Sequence, residues 1–391
     1  MAIGVDKAGS PRHFLQMITV RWWNASAYYG VITARALHHL GYHATVVSSP
    51  YYPVISRAQE IGLPVFTRVK MEAWVPWQIW RNLKQLHHFV YQENIRILNA
   101  HRPEDHAHAA LLQYFYRLPV PVVRTVTDVR PPKRHRLNRW LHQKLTDFFI
   151  FSTYASVDRY NAIWPFFKEG ENFLVHPGAV DTQFFKPDIV NSELRRQWKV
   201  EENEVIFGLI ARLSPVKGHR VFLQAAARIS RLLPQVRFLI SGEAVEIQHQ
   251  ELQSLAAELG ISSRLILLEK WPDVRQLIHA VDVGIVASLD SEVVCRIGME
   301  MMAMQKPIIA SGVNVLKELI DNGVNGLLVP PGDATALAEA MLKLARQPAE
   351  ILRMGKTARQ KIVQKCSIEA FGELVIQAYG KARENFKRKI T

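Results

Sequence analysis

Four residues in the second half of the chain have types and spacing suited to chemistry. The segment 281–310 reads VDVGIVASLDSEVVCRIGMEMMAMQKPIIA. An apolar strand ends at Ser288, a short polar loop carries Glu292, a helix begins near Cys295, and Glu300 lies inside that helix between Met299, Met301 and Met302. A carboxylate among apolar neighbours is costly to bury unpaired; fixed hydroxyl donors on a ligand would give it a reason. Glu292 sits on the loop and Glu300 about one turn into the helix. Both can face a ligand over the helix N-terminus, where backbone N–H groups favour phosphates. On spacing alone the alternative stays open that Glu300 points to solvent and Glu292 is a loop charge. Upstream, GLIARLSPVKG at 208–218 follows a strand and opens a helix at Lys217. Arg212 and Lys217 then stand at the carboxyl edge of a sheet. A planar guanidinium and a compact ammonium there suit a diphosphate, or they are ordinary loop cations.

Positioning these groups requires sheets, and the chain reads as strand then helix almost throughout. Short β-branched runs at 15–20, 43–48, 95–99, 120–126 and 147–152 alternate with amphipathic stretches such as 28–40 and 106–117. The pattern restarts with strands at 204–210, 236–240, 264–268, 282–287, 307–310 and 326–329. Helices are expected near 217–233, 247–259, 273–280, 295–304, 315–322 and 333–347. This alternation predicts α/β architecture with two successive doubly wound parallel sheets. HPGAVDTQFFKPD at 176–188 breaks the rhythm with two prolines and reads as a linker. The expected division is an N-terminal domain at 1–185, a second domain at 186–366, and a final helix over 367–391 packing back toward the first. Ligands of such sheets bind outside the carboxyl ends of the strands.

The bulk properties agree with a folded, two-domain chain. It has 391 residues, 48% apolar and 21% charged, more than one ordinary core holds. No apolar run is long enough for a membrane-spanning helix. The start, MAIGVDKAGSPRHF, lacks the apolar stretch of a secretory leader. Two cysteines, Cys295 and Cys366, make no disulfide framework. A cytoplasmic location is expected. The net charge is +14. Residues 1–185 carry 21 Lys+Arg against 12 Asp+Glu, and the remainder 28 against 23, so the surplus of +9 against +5 lies mainly in the first half. Such a surface suits an anionic partner or simply keeps the chain soluble.

Residues 204–335 resemble the donor domain of glycosyltransferase family 4, retaining enzymes of the GT-B fold. IARLSPVKG resembles the family's strand-loop-helix, SEVVCRIGMEMMAMQKPIIAS its E-x7-E segment, ELIDNGVNGLLVPPGD the stretch that follows, and PGAVDTQFF its inter-domain segment. Order and spacing agree across about a third of the chain. The resemblance implies two Rossmann-like domains facing across a cleft and a nucleotide-diphosphate sugar as donor substrate, with no metal or other cofactor. Arg212 and Lys217 would bind the diphosphate and stabilise the leaving charge. Glu292 would contact the transferred sugar, Glu300 would hold the ribose hydroxyls, and backbone N–H groups around Arg296 and Ile297 would add to the phosphate site. The acceptor would be a hydroxyl of a cell-surface glycan or a lipid-linked glycan, as in lipopolysaccharide or polysaccharide biosynthesis. Two other readings use the same features: a nucleotide-sugar epimerase on this fold, or a non-catalytic polyanion-binding protein. No nucleic-acid recognition motif is visible.

The first half departs from the family. Where relatives have a Gly-rich loop after the first strand, RWWNASAYYG at 21–30 has only Gly30. It reads as a wall contacting sugar or acceptor, or as an aromatic plug in the core. At 125–128, TVTD places Asp128 where relatives often have a His. Asp128 could accept a sugar hydroxyl or help deprotonate the acceptor, or it caps a helix or pairs with Arg130. In HRPEDHAHA at 101–109, His106 and His108 are two apart and would point to different helix faces, against a metal site. His101, at a strand end, is an acceptor-site candidate, while Arg102 and Glu104 touch ligand or cap the helix. RPPKRHRLNRWLHQK at 130–144 has six Lys+Arg and no acid, and Trp74, Trp77 and Trp80 lie three apart. Cations with an aromatic stripe suit an anionic membrane surface, on the inner face of the cytoplasmic membrane; alternatively the tryptophans pack in the core.

Overall fold

The computed structural model describes residues 12–188, 193–290 and 292–390; most of the segment read above for a leader lies outside them. The strands are β1 His13–Met17, β2 His43–Val47, β3 Val65–Phe66, β4 Ile95–Ala100, β5 Val122–Val126, β6 Phe148–Phe151, β7 Phe173–Val175, β8 Val205–Ile210, β9 Val236–Ser241, β10 Leu265–Leu268, β11 Val283–Val286, β12 Ile308–Ser311 and β13 Gly326–Val329. The chain divides into two compact units. One runs to Ala179 and resumes at Ile368; the other is Val180–Ser367.

In the first unit seven parallel strands lie in the order β3-β2-β1-β4-β5-β6-β7. The strands are short apolar runs because helices cover both faces of a parallel sheet. One face buries Leu15, Met17 and Leu98 against Leu83, Leu86 and Leu112, and another cluster joins Phe149, Phe151, Tyr160, Phe167 and Phe173. In the second unit six parallel strands lie in the order β10-β9-β8-β11-β12-β13. Phe207 on β8 is paired with Phe238 on β9 and Val283 on β11, and the core gathers Leu209, Phe222, Ile240, Ile285 and Met341 around them.

The boundary falls six residues before the expected 185. Val180 N donates to Cys366 O at 2.9 Å, and Arg359 donates to the carbonyls of Phe185 and Ala303, so 180–185 are bonded into the second unit. Several short or sparsely patterned elements escape the periodicity, among them the helices Pro53–Glu60 and Leu194–Gln197. Others are β3, β7 and the helix Pro348–Cys366, whose buried stripe of Ile351, Met354, Gly355, Ala358, Ile362 and Cys366 includes small residues. Gly355 is there because a Cβ would come within 2.0 Å of Gln305 O. The helix expected to open at Lys217 begins instead at His219, after a 3-10 turn over Pro215–Lys217.

The last helix, Ile368–Ile390, is part of the first unit. Phe371 meets Tyr29 edge-on at 5.4 Å between centroids, and Lys389 Nζ bonds Thr146 O and Asp147 Oδ1 at 2.7 and 2.8 Å. In the core, the Tyr379 hydroxyl accepts from Gln16 Nε2 at 2.8 Å and Asn99 Nδ2 at 3.0 Å. All three side chains are buried, so removing the hydroxyl leaves donors without an acceptor. Tyr379→Phe should therefore cost about 1–3 kcal/mol, read as a lower urea midpoint for the first unit; an unchanged midpoint would show that this network contributes nothing.

Candidate functional site

The second sheet brings the two sequence motifs together by topology. Its order reverses between β8 and β11, which are neighbours in space though β9 and β10 lie between them in sequence. A crevice forms outside the carboxyl ends of the strands at such a switch point. β8 ends at Ile210 and leads into Arg212 and Lys217; β11 ends at Val286 and leads into Ser288, Glu292 and the helix Arg296–Ala303. Leu289 N donates to Val216 O at 2.8 Å and joins the two loops directly.

Lys217 Nζ bonds Glu292 Oε1. The same oxygen accepts the Ser288 hydroxyl at 2.6 Å. Glu292 is buried, and its carbonyl holds Val315 N at 3.0 Å. Glu300 is only 4% exposed, so it does not point to solvent. Arg296 Nε lies 3.1 Å from Glu300 Oε1, while Oε2 is buried without a hydrogen-bond partner among the described residues. Burial raises the Glu300 pKa against the opposing pull of Arg296. The Cys295 thiol is also pushed up, first by burial and then by the Glu292 charge, with Lys217 and Glu300 acting on it as well. These charges therefore converge on the start of one helix. Its N-cap residue, Cys295, gives the first turn no side-chain hydrogen bond.

Two glycines permit this approach. Gly218 has φ +72°, and a Cβ there would stand 2.0 Å from Ala287 O. A Cβ on Gly242, just past β9, would stand 1.8 Å from Ala211 O and 3.4 Å from the Arg212 Cα. Arg212 itself is exposed, and among the described residues no carboxylate pairs with it. Sequence reading assigned no role to Ser288, Gly218 or Gly242. A strand-ending serine four residues before Glu292, and a glycine closing β9, were the available signals. The arrangement offers a free guanidinium, an ammonium held on a buried carboxylate, and a second carboxylate with an open oxygen.

In the first unit, a different set of groups follows β1, β4 and β5. The helix expected at 28–40 starts at Ala25, because the Asn24 side chain caps it by accepting from Ala27 N at 3.0 Å. Half of the 21–30 segment is thus helix. Trp22 is exposed, while Gly30 faces Ile18, whose Cδ1 would lie 2.5 Å from an added Cβ. Asp128 takes the ion-pair alternative. Its Oδ1 accepts from Arg130 N at 2.8 Å, and its Oδ2 accepts from Arg130 Nε at 2.7 Å. Burial would raise its pKa, but the Arg130 hydrogen bonds outweigh that and hold it low, which suits a fixed charge better than a proton acceptor. His101 is core: Nε2 bonds Gln16 Oε1 at 3.0 Å, and burial brings its pKa down to about 3. His106 bonds Thr146 and His108 bonds Glu104 O, each in a separate environment. Asp105 caps the helix Pro103–Tyr116 by accepting from Arg102 N at 3.1 Å.

The Lys217–Glu292 pair yields a stability test. Removing the cation leaves a buried carboxylate uncompensated, so Lys217→Ala should cost about 2 kcal/mol or more. Adding Glu292→Gln should restore most of that loss. Equal losses that simply add would show that the two side chains do not interact.

Residues 190–361 match the family model described as "Glycosyl transferases group 1". Among curated relatives, the UDP-Gal:alpha-D-GlcNAc-diphosphoundecaprenol alpha-1,3-galactosyltransferase of Escherichia coli is 27% identical over 192 residues, 48% of this chain and 49% of that one. The chain spans about half the length of the curated relatives it matches. A glycosyltransferase from Rickettsia africae superposes with a TM-score of 0.83 at 17% identity, covering 96% of this chain and 99% of that one. HepE of Anabaena, solved in complex with UDP, gives 0.79 at 20% identity, covering 94% and 99%. The two Rossmann-like sheets therefore have the GT-B fold, and residues 190–361 are a glycosyl transferases group 1 domain.

Proposed function

We propose that the chain transfers a glycosyl group from a nucleotide-diphosphate sugar to a hydroxyl of a cell-surface glycan or lipid-linked glycan, with retention at the anomeric carbon. The observation that carries this reading is the switch-point constellation: exposed Arg212, Lys217 on Glu292, and the open oxygen of buried Glu300. The bond from anomeric carbon to phosphate breaks, and the electron pair leaves with the diphosphate. Positive charge grows on the sugar and negative charge on the leaving group. Arg212 and Lys217 meet that negative charge, which is greater in the transition state than in the ground state, so they accelerate the step. The backbone N–H of Ile297 adds to the phosphate site, whereas that of Arg296 donates to Val294 O at 3.1 Å. The open Glu300 oxygen accepts a ribose hydroxyl, and the Glu292 carboxylate fixes the transferred sugar. The acceptor oxygen attacks on the face the diphosphate leaves, and its proton passes toward the departing phosphate. Asp128, held by Arg130, acts as a fixed negative charge.

Relatives support the classes to try first. HepE of Anabaena has been solved with UDP and with UDP-glucose, and the E. coli relative takes UDP-Gal and a diphosphoundecaprenol-linked acceptor by name. Uridine diphosphate sugars and lipid-linked glycans are therefore the first pairs to assay. Side-chain cations meet the diphosphate in this reading, so a chelator should leave turnover unchanged.

The reaction is tested by product stereochemistry and by two variants. The product should carry the donor's anomeric configuration; an inverted product contradicts retention, and an epimerised donor without transfer contradicts the reaction class. Arg212→Ala should lower kcat about 100-fold or more. Glu300→Gln removes a buried charge and exchanges one carboxylate acceptor for an amide donor. It should weaken nucleotide binding about tenfold while melting no lower than the parent. A Glu300→Gln protein that binds donor normally would remove Glu300 from the site.

A further inference from the structure

The first unit carries a run of aromatic rings that its core leaves outside. The helix Pro76–Gln92 buries Gln78, Asn82, Leu83, Leu86 and Val90. Its opposite face presents Trp77, Trp80, Arg81 and Lys84 to solvent. Trp77 is 65% and Trp80 53% exposed, and Trp74, just before the helix, is 55% exposed. The rings continue onto neighbouring helices. Trp80 meets Phe115 at 5.1 Å between centroids, Phe115 meets Tyr114 at 5.4 Å, and Tyr114 meets Trp140 edge-on at 5.0 Å. Tyr114, Phe115 and Leu137 are themselves exposed. Connected exposed apolar rings are uncommon on a surface that meets only water and mark an interaction site.

The charges around the rings have one sign. Residues 74–92, 106–127 and 129–145 contain no Asp or Glu. Arg81, Lys84, Arg134, Arg136, Arg139 and Lys144 are exposed. Arg136 and Lys144 lie one turn either side of Trp140 on the helix Arg136–Lys144. The carboxylates nearest in sequence have partners of their own: Glu72 accepts the Ser49 hydroxyl, Glu104 pairs with Arg102, Asp128 pairs with Arg130, and the exposed Glu93, past the far end of the helix, lies beside His13.

We propose that this face docks the chain onto an anionic bilayer surface, with the Trp and Tyr rings at headgroup depth and the cations against the phosphates. Trp and Tyr favour that layer because each has an apolar body and a polar tip. Lys and Arg beside it gain from the negative surface potential. A uniformly anionic surface matches an acid-free face without the alternating charges a protein partner would need. Attachment is to the surface: among the described residues no helix is long and apolar enough to cross a membrane.

Flotation of the full chain tests this, using vesicles of phosphatidylcholine alone and vesicles with about one third phosphatidylglycerol, at about 0.15 M salt. The chain should float with the anionic vesicles and about tenfold less with the neutral ones. Trp77→Ser/Trp80→Ser should lower anionic binding about tenfold with an unchanged melting temperature, since both rings are exposed. Arg136→Glu/Arg139→Glu should abolish the preference for anionic lipid. A parent chain that does not float with anionic vesicles, or a tryptophan variant that floats equally well, overturns the proposal. No donor or acceptor is present, so that failure leaves the transferase reading standing.

Discussion

In the second unit one ion pair, a half-buried ammonium on a buried carboxylate, ties together the exits of two neighbouring strands. Taking Lys217 and Glu292 out of water is costly, and their mutual attraction offsets that cost only where geometry is good and the remaining lone pairs are used. Here the Ser288 hydroxyl fills the same carboxylate oxygen at 2.6 Å, and the Leu289 amide joins the two loops beside it. The pair fixes the exit of β8 against the exit of β11. The two glycines whose missing side chains allow close backbone contact, Gly218 and Gly242, flank the same loops. A hydrophobic pair could hold these loops at least as well, so a retained buried charge pair argues for a role toward a ligand. In the proposed reaction the diphosphate draws on the ammonium already held there, while among the described residues no carboxylate pairs with Arg212.

The sheets explain why such a pair can exist. β8 and β11 are parallel neighbours at the point where strand order reverses, so their exits diverge and leave backbone and side chains facing a common space. The first unit has the same reversal between β1 and β4, and a different population occupies it. An Asn24 cap, the Asp105 carboxylate on the Arg102 amide and a core histidine take those positions. That unit is completed only by the end of the chain, because Tyr379 and Lys389 bond to β-strand residues and to a strand edge formed far earlier.

Much of the fold was legible because parallel strands buried on both faces leave unmistakable apolar runs. The six strands of the second sheet fall within a residue or two of their expected places. Elements held by few or small residues were not legible: β3 has two residues, and Pro348–Cys366 packs through Gly355 and Ala358. The four site residues stood out by type and spacing, but spacing could not say whether Glu300 was inside or outside. Its burial is a tertiary fact: the helix Arg296–Ala303 buries Glu300 together with Met299, Met301 and Met302. Nor could spacing reveal Ser288, whose role depends on a rotamer. The tryptophans show the opposite limit. A three-residue interval fits a core stripe as well as a surface one, and the decision was made by Leu83, Leu86 and Val90 claiming the inward face.

Calorimetric titration with a nucleoside diphosphate and the matching monophosphate tests the central claim most directly, since the two differ only in the group that Arg212 and Lys217 are assigned to hold. The diphosphate should bind at least about tenfold more tightly, and Arg212→Ala should erase most of that difference. Equal affinity for the two nucleotides, or an undiminished preference in the variant, would contradict the account.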